Sequence, residues 1–414
     1  MLYDAYEVQR SLMAGASRLA GMGAGWLGNP ANPMSYGAMG PIVAAGLNVF
    51  AHASAQRGKP EFGLAEVAVG KRLVAVTEEI VVRKPFGQLK HFAKVEADGS
   101  NVTGQPKLLI VAPMSGHFAT LLRGTVERLL PHYDVFITDW RDAKNVPLAD
   151  GRFDLDDYID YLIEFLRAVK GDGAGRPHML AVCQPSVPAF AATAVMGAAK
   201  DPARPASLTM MGGPVDTRQA PTAVNTLATQ RPHSWFQQNA IATVPYLYGG
   251  AGRKVYPGFL QLAGFMTMNL GNHMISHFEM FKHLVAGDED SADATRDFYD
   301  EYLSVADMTA EFYLQTVDVV FQCHLLPKGE LMHRGKRVDP AAIRDTALLA
   351  IEGERDDISG LGQTKAALDI ATKLPEAKKR YYMAPEVGHY GIFNGRKWRE
   401  MIAPVVEKFI TANG

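Results

Sequence analysis

The chain has 414 residues, 47% of them hydrophobic and 21% charged, with a formal net charge of −2 at pH 7. This is the profile of an ordinary soluble globular protein, long enough for a core domain with a large insertion; neither the charge balance nor any basic run calls for nucleic acid as a partner. Two cysteines, Cys183 and Cys323, are too few for a disulfide framework and point to a reducing, cytosolic setting.

Residues 1–60 read as an N-terminal helical arm, with helices around Leu2–Leu19 and Gly40–Ala55. The opening MLYDAYEVQRSLMAG has an early acid and no basic segment ahead of an apolar stretch, so it does not read as a secretory signal. The stretch PIVAAGLNVFAHASA is interrupted by Gly46, Asn48 and His52 and falls short of the roughly 20 apolar residues of a transmembrane segment. Tyr3, Tyr6, Met13 and Leu19 are expected to line one helical face, which predicts an arm packed on the body. Docking on a partner or a lipid-like surface is the alternative.

From Val67 the period becomes that of strands. RLVAVTEEIVVRKPFGQLKHFAK predicts two or three of them, turning at Pro85–Gly87. LLIVAP is a short apolar run of the kind buried on both faces in a parallel sheet, and a helix follows near Ala119–Leu130. After the strand YDVFITDW comes the clearest helix, LDDYIDYLIEFLRAVK, whose apolar positions keep helical spacing and whose N-cap is Asp154. HMLAV and SLTMMGG are further strands. Between Pro221 and Asp339 the alternation stops, and the sequence is helix-like without β runs. It resumes with TALLAIEGE, a helix near Leu361–Leu374, KRYYMA, and a last helix from Lys397. Repeated βα units predict an α/β fold with a mostly parallel sheet and helices on both faces. The expected division is a core of residues 61–220 and 340–414, with 221–339 as a helical cap insertion near the carboxyl edge of the sheet, where such folds keep their sites.

LAVCQPSVPAF places Cys183 between a strand and a helix. A strand, a tight turn bearing a nucleophile, and a helix make the elbow of α/β-hydrolases, whose crowded backbone favours small residues two positions to either side. Ala181 fits; Pro185 departs from the usual glycine but suits the first turn of a helix. In this fold the nucleophile is followed by an acid and then a histidine. IEGERDDISG puts Asp356 and Asp357 after one strand, and APEVGHYGIF puts His389 after the last. A thiol of ordinary pKa, about 8.5, is mostly protonated at neutral pH and needs a neighbouring imidazole; a carboxylate holds that imidazole in the right tautomer. Cys183, Asp356 and His389 are therefore the candidate catalytic residues, with Asp357 in reserve and Asp216 of GGPVDTR as a rival acid.

Oxyanion donors are expected from the backbone N–H of Gln184 and of Met114 or Ser115, in the loop MSGH. Ser115 itself lacks the elbow context of a nucleophile. His273 and His277 are four apart, with His283 beyond, but Met274 stands where zincins have glutamate and no third ligand is suitably spaced, so no metal or other cofactor is expected. In TDWRDA, Asp139 and Trp140 are candidates to line the pocket, the alternative being a structural pairing of Asp139 with Arg141 or a loop amide.

With these residues in place the chain resembles the intracellular polyhydroxyalkanoate depolymerases of the polyhydroxybutyrate type. The likeness is carried nearly end to end by LYDAYEVQRS, KPFGQLKHF, TDWRDAKNVPLADGRFDLDDYIDYL, VCQPSVP, GGPVDTR and PEVGHYGIFNGRKW. The resemblance implies Cys183 as nucleophile, Asp356 as acid and His389 as base, and accounts for Pro185. It implies cleavage of stored poly(3-hydroxybutyrate) through an acyl-cysteine at granule surfaces in the bacterial cytosol, releasing 3-hydroxybutyrate or oligomers. The cap, with Trp235, Phe236, Phe265, Met266 and Met268, would offer an apolar lining to an aliphatic chain. A polyhydroxyalkanoate synthase acting on 3-hydroxyacyl-coenzyme A is the nearest alternative, although synthase elbows resemble G-x-C-x-G; a non-catalytic granule-surface protein is another. The sequence leaves open whether water or coenzyme A accepts the acyl group, and whether the chain forms a homo-oligomer.

Overall fold

A computed structural model describes residues 2–29, 31–36, 39–173, 175–268, 278–285 and 289–414. Its strands, in chain order, begin with β1 (Glu66–Val69), β2 (Arg72–Arg83), β3 (Gly87–Val95), β4 (Lys107–Val111), β5 (Asp134–Trp140), β6 (His178–Val182) and β7 (Ser207–Met211). An insertion follows, bearing β8 (Ala242–Thr243), β9 (Lys254–Tyr256), β10 (Met308–Thr309), β11 (Met332–His333) and β12 (Lys336–Arg337). The chain then returns as β13 (Ala347–Gly353) and β14 (Lys379–Ala384).

Nine of these strands form one sheet in the order β1-β2-β3-β5-β4-β6-β7-β13-β14. β3 runs antiparallel to β5, while every pairing from β5 onward is parallel. β6, β7 and β13 are buried at every position, which only a sheet covered on both faces can offer. This strand order, with its antiparallel start and the crossover that exchanges β4 and β5, is the α/β-hydrolase fold.

The helices α1 (Leu2–Gly28) and α2 (Gly40–Ser54) form the arm; α3 (Arg123–Leu129), α4 (Leu155–Lys170) and α5 (Ser186–Ala198) belong to the sheet's cover. α4 starts at a reciprocal cap: Asp157 N–H donates to Asp154 Oδ1 at 3.1 Å, and Asp154 N–H donates to Asp157 Oδ2 at 2.9 Å.

The insertion differs from its sequence reading. β8, β9 and β10 make a small antiparallel sheet, and β11 and β12 a hairpin, each strand two or three residues long and so too short for periodicity to reveal. Arg253 ties this insertion to the loop after β5 by donating to the carbonyls of Val146, Pro147 and Gly151 at 3.0, 2.6 and 2.8 Å.

The root of the arm packs on the body. Tyr3 is buried and donates to Asp307 Oδ2 at 2.6 Å, and Tyr6 stacks on Phe259 with centroids 3.9 Å apart. Leu19 does not share that face; it is 71% exposed. At 100° per residue, six positions past Met13 lies about 120° away around the helix. Beyond its root α1 packs instead on α2, through Ala20, Ala24 and Ala45. Among the described residues no helix is long and apolar enough to cross a membrane.

Candidate active site

Cys183 stands one residue past β6, at φ +66°, a conformation an L-residue adopts at a cost of about 1–2 kcal/mol. Its N–H is tied to Met211 O at 2.7 Å, its carbonyl accepts from Ser186 N–H at 3.0 Å, and α5 begins three residues on. The turn is this sharp because the next strand leaves no room. A Cβ on Gly213 would lie 2.0 Å from Ser186 Oγ and 3.0 Å from Cys183 O. The thiol is partly exposed, and the positive end of α5 faces it.

The other two candidates meet at this turn. His389 stands five residues past β14, and its Nδ1 lies 2.8 Å from Asp356 Oδ2. Asp356 is held by Ile358 N–H and Ser359 N–H, which donate to its Oδ1 at 2.9 and 2.8 Å. Asp357 is exposed, and the acid facing His389 is Asp356. The Cys183 side chain lies close enough to the imidazole to act on its charge. Burial works against a charge on that ring, but the Asp356 carboxylate, and after it Cys183, outweigh burial and hold His389 well above the ordinary imidazole value of 6.5. Tyr390 and Phe393 set their rings edge-on to it at 5.9 and 5.8 Å.

The rival acid is otherwise engaged. Asp216 forms a two-pronged pair with Arg218, Nε to Oδ1 at 2.8 Å and Nη2 to Oδ2 at 2.9 Å.

Of the expected oxyanion donors, Met114 contacts Gln184 through the latter's side chain. Among the described residues Gln184 N–H has no acceptor, and Met114 N–H donates to the Gln184 side-chain Oε1 at 3.4 Å. That long bond occupies the Met114 N–H with the Gln184 side-chain oxygen. Ser115 is partly buried next to Gly116, which has φ +97°. The insertion holds this loop in place, with Ala306 N–H donating to Gly116 O at 2.7 Å.

The expected pocket residues are placed differently. Asp139 is fully buried and neither lines a pocket nor pairs with Arg141; Lys59 Nζ sits 2.5 Å from both its oxygens and Gln88 Nε2 donates at 2.8 Å. Trp140 is also a core residue, donating from Nε1 to Ala112 O at 2.8 Å and packing on Tyr158 at 4.4 Å between centroids. A buried strand end explains both: the pleat turns Asp139 to the face covered by the arm's linker, where Lys59 meets it, and Trp140 to the opposite face under α4. Trp235 and Phe236 contact each other at 5.1 Å, and through Arg231 and Tyr313 their neighbours, with no ring contact to His389 among the described residues. Met266 is half-buried. The side chains of Phe265 and Met268, and His273, Met274 and His277 altogether, lie outside the described residues. Among the described residues no cluster of three or more His, Cys, Asp or Glu could hold a metal ion. A cavity of 350 Å³ lies at the arm's root, against Tyr3, Tyr6, Arg10 and Phe259, and not at Cys183.

Sequence reasoning missed the supports of this site. Glu352 is fully buried at the end of β13 and accepts from Gly362, Thr364 and Lys365 N–H at 2.9, 2.8 and 2.9 Å and from Tyr381 OH at 2.8 Å. Thr364 Oγ1 in turn accepts from Gly213 N–H at 2.7 Å and donates to Gly213 O at 3.0 Å, so the acid loop and the elbow are braced together. The one signal was a glutamate within the apolar run ALLAIEG. Gly212 has φ +59°, and a Cβ added there would lie 3.2 Å from each of Asp356 Oδ2, His389 Cε1 and Ile392 Cδ1.

Residues 212–414, just under half the chain, match the family model described as PHB de-polymerase C-terminus. No curated protein sequence matches the chain. Among solved structures, a 2-hydroxy-6-oxo-6-phenylhexa-2,4-dienoate hydrolase from Rhodococcus sp. strain RHA1 is similar at 11% identity and a TM-score of 0.44, covering 82% of this chain and 99% of its own. A thermophilic esterase from Thermogutta terrifontis is similar at 14% identity and a TM-score of 0.42, covering 86% of this chain and 99% of its own. Naproxen esterase from Bacillus subtilis is similar at 13% identity and a TM-score of 0.42, covering 82% of this chain and 92% of its own.

Proposed function

We propose that this chain is a carboxylic-ester hydrolase of the poly(3-hydroxybutyrate) depolymerase type, acting through an acyl-cysteine at the surface of polymer granules in the cytosol. The observation that carries the reading is Cys183 on a positive-φ turn packed against Gly213, with Gly212 beside it facing His389, whose Nδ1 lies 2.8 Å from the buried carboxylate of Asp356. The family match over residues 212–414 supports the substrate class.

In this reading Cys183 Sγ attacks an ester carbonyl of the polymer while His389 takes up the thiol proton. Asp356, fixed by two loop amides, holds the ring so that Nε2 faces the sulfur and stabilises the imidazolium. The tetrahedral oxygen is stabilised by Gln184 and Met114 N–H once the Gln184 side chain has moved. His389 returns its proton to the departing hydroxyl end of the polymer, leaving a thioester on Cys183. Water, deprotonated by His389, cleaves that thioester, and 3-hydroxybutyrate or an oligomer leaves.

The test is intact-protein mass spectrometry and product release on amorphous poly(3-hydroxybutyrate), with and without coenzyme A, for wild type and Cys183→Ala. An acyl adduct confined to wild type, with free acid released and release abolished in the variant, is the expected result. Unchanged polymer breakdown by Cys183→Ala would overturn the mechanism, and polymer formed from 3-hydroxybutyryl-coenzyme A would replace it with a synthase.

A further inference from the structure

The arm is built inside out. On α1, Leu12, Leu19, Met22 and Trp26 are 72, 71, 72 and 58% exposed, and their spacing of seven, three and four residues aligns them on one stripe. The opposite face, which packs on α2, is made of small residues: Ser17, Ala20, Ala24 and, from α2, Ala45 are buried. Ser17 Oγ donates to Ala51 O at 2.7 Å, and a Cβ on Gly21 would lie 3.8 Å from Ala51 Cβ, so the two backbones run close together there, while Leu47 fills the space over Gly23. A helical pair that lives in water does the reverse, burying its large apolar side chains between the helices and turning small or polar ones outward. Small residues inside and large apolar ones outside is the packing of helices in an apolar medium.

Charge points to the same medium. From Leu19 to Gln56 there is no Asp, Glu, Lys or Arg. Helices that dock on anionic membranes carry Lys and Arg beside the apolar face, and protein interfaces keep a polar, charged rim. This segment has neither, and an uncharged partner matches it. The apolar surface runs on through Met34 and Met39, 59 and 66% exposed, near the turn between the helices.

We propose that this hairpin is the element that holds the protein on a neutral apolar phase, the amorphous polyester itself, with Met22 and Trp26 among the side chains that enter it. The identity of that phase rests on the depolymerase reading above. The hairpin joins the body at its root, where Tyr3 and Tyr6 meet Asp307 and Phe259, so the site stays tethered to the surface it works on.

The test compares the full chain with Met22→Glu/Trp26→Glu and, as a milder change, Met22→Ser/Trp26→Ser. Co-sedimentation is measured on protein-free amorphous poly(3-hydroxybutyrate) particles and on vesicles of mixed neutral and anionic phospholipid. Turnover of a soluble short-chain ester and light scattering of the free protein are read alongside. The expected result is a loss of particle binding of tenfold or more in the Glu variant and a smaller loss in the Ser variant, with unchanged soluble turnover and unchanged melting. Variants that bind particles like wild type would overturn the proposal. So would wild type that binds only the anionic vesicles, or a wild-type dimer that the substitutions dissociate without loss of particle binding. Particle binding lost in the variants while wild type hydrolyses no ester would keep the docking element and overturn the reading of the site instead.

Discussion

Gly212→Ala tests whether the acid–base pair is positioned by backbone crowding. Two costs are expected, and the structure offers a control that separates them. Gly212 has φ +59°, and an added Cβ would meet Asp356 Oδ2, His389 Cε1 and Ile392 Cδ1 at 3.2 Å each. Gly63 has nearly the same backbone, φ +63°, but nothing within 4 Å of an added Cβ. An alanine in the left-handed region costs about 1–2 kcal/mol, partly offset by the lower entropy of the unfolded chain, about 0.4–1 kcal/mol. Gly63→Ala should show that cost alone. At Gly212 the three contacts also force the pair to shift by a few tenths of an ångström. Since a misplacement of about 1 Å can cost 100-fold, a shift of this size is expected to cost roughly tenfold in kcat/KM, or about 1.4 kcal/mol of transition-state stabilisation. Both variants would be melted by differential scanning fluorimetry and assayed for acid released from amorphous poly(3-hydroxybutyrate). Activity of Gly212→Ala within twofold of Gly63→Ala would refute the reasoning.

Asp356→Asn should leave the loop bonds to Ile358 and Ser359 N–H intact while removing the charge that raises His389. Because the folded pKa of His389 lies above 6.5, the pair's contribution to stability is fully present below about pH 6.5 and fades as pH rises through the raised value. The melting difference between wild type and variant, measured from pH 5 to 10, is therefore expected to be largest at the acidic end; a difference independent of pH would contradict this. Lys59→Met would leave the buried Asp139 with Gln88 as its remaining side-chain donor, at an expected cost of about 3 kcal/mol. Chemical denaturation should show that loss with activity per folded molecule retained; a loss under 1 kcal/mol would contradict it.

The parts of the fold that sequence made legible are those with a strong period or a long apolar run. β6, β7 and β13 are buried along their whole length, and α4 carries both a stripe and a cap, so each announces itself. Cys183, Asp356 and His389 are legible as candidates because each follows a recognisable strand, and the structure brings His389 and Asp356 together. Asp139 and Trp140 stand at such an end too and are core residues, because strand position does not tell whether a side chain points over the edge or under a covering layer. Lys59, the partner of Asp139, lies 80 residues away in a stretch with no periodic signal. The strands β8, β9 and β10 are held by tertiary contacts and not by local pattern. Gly212 and Gly213 read as the end of the strand SLTMMGG, whereas the structure sets them where an added Cβ would meet Asp356, His389 and Ser186.

The bond from Tyr3 to Asp307 spans 304 residues of chain. During translation the hairpin therefore leaves the ribosome long before its anchoring surface exists. At roughly 5–20 residues per second the delay is about 15–60 s. Throughout it, a helix whose last ten residues, Leu19–Gly28, carry no charge and expose Leu, Met and Trp must be shielded by a chaperone or find an apolar surface of its own. Nascent chains would then reach their working location before they are able to act there.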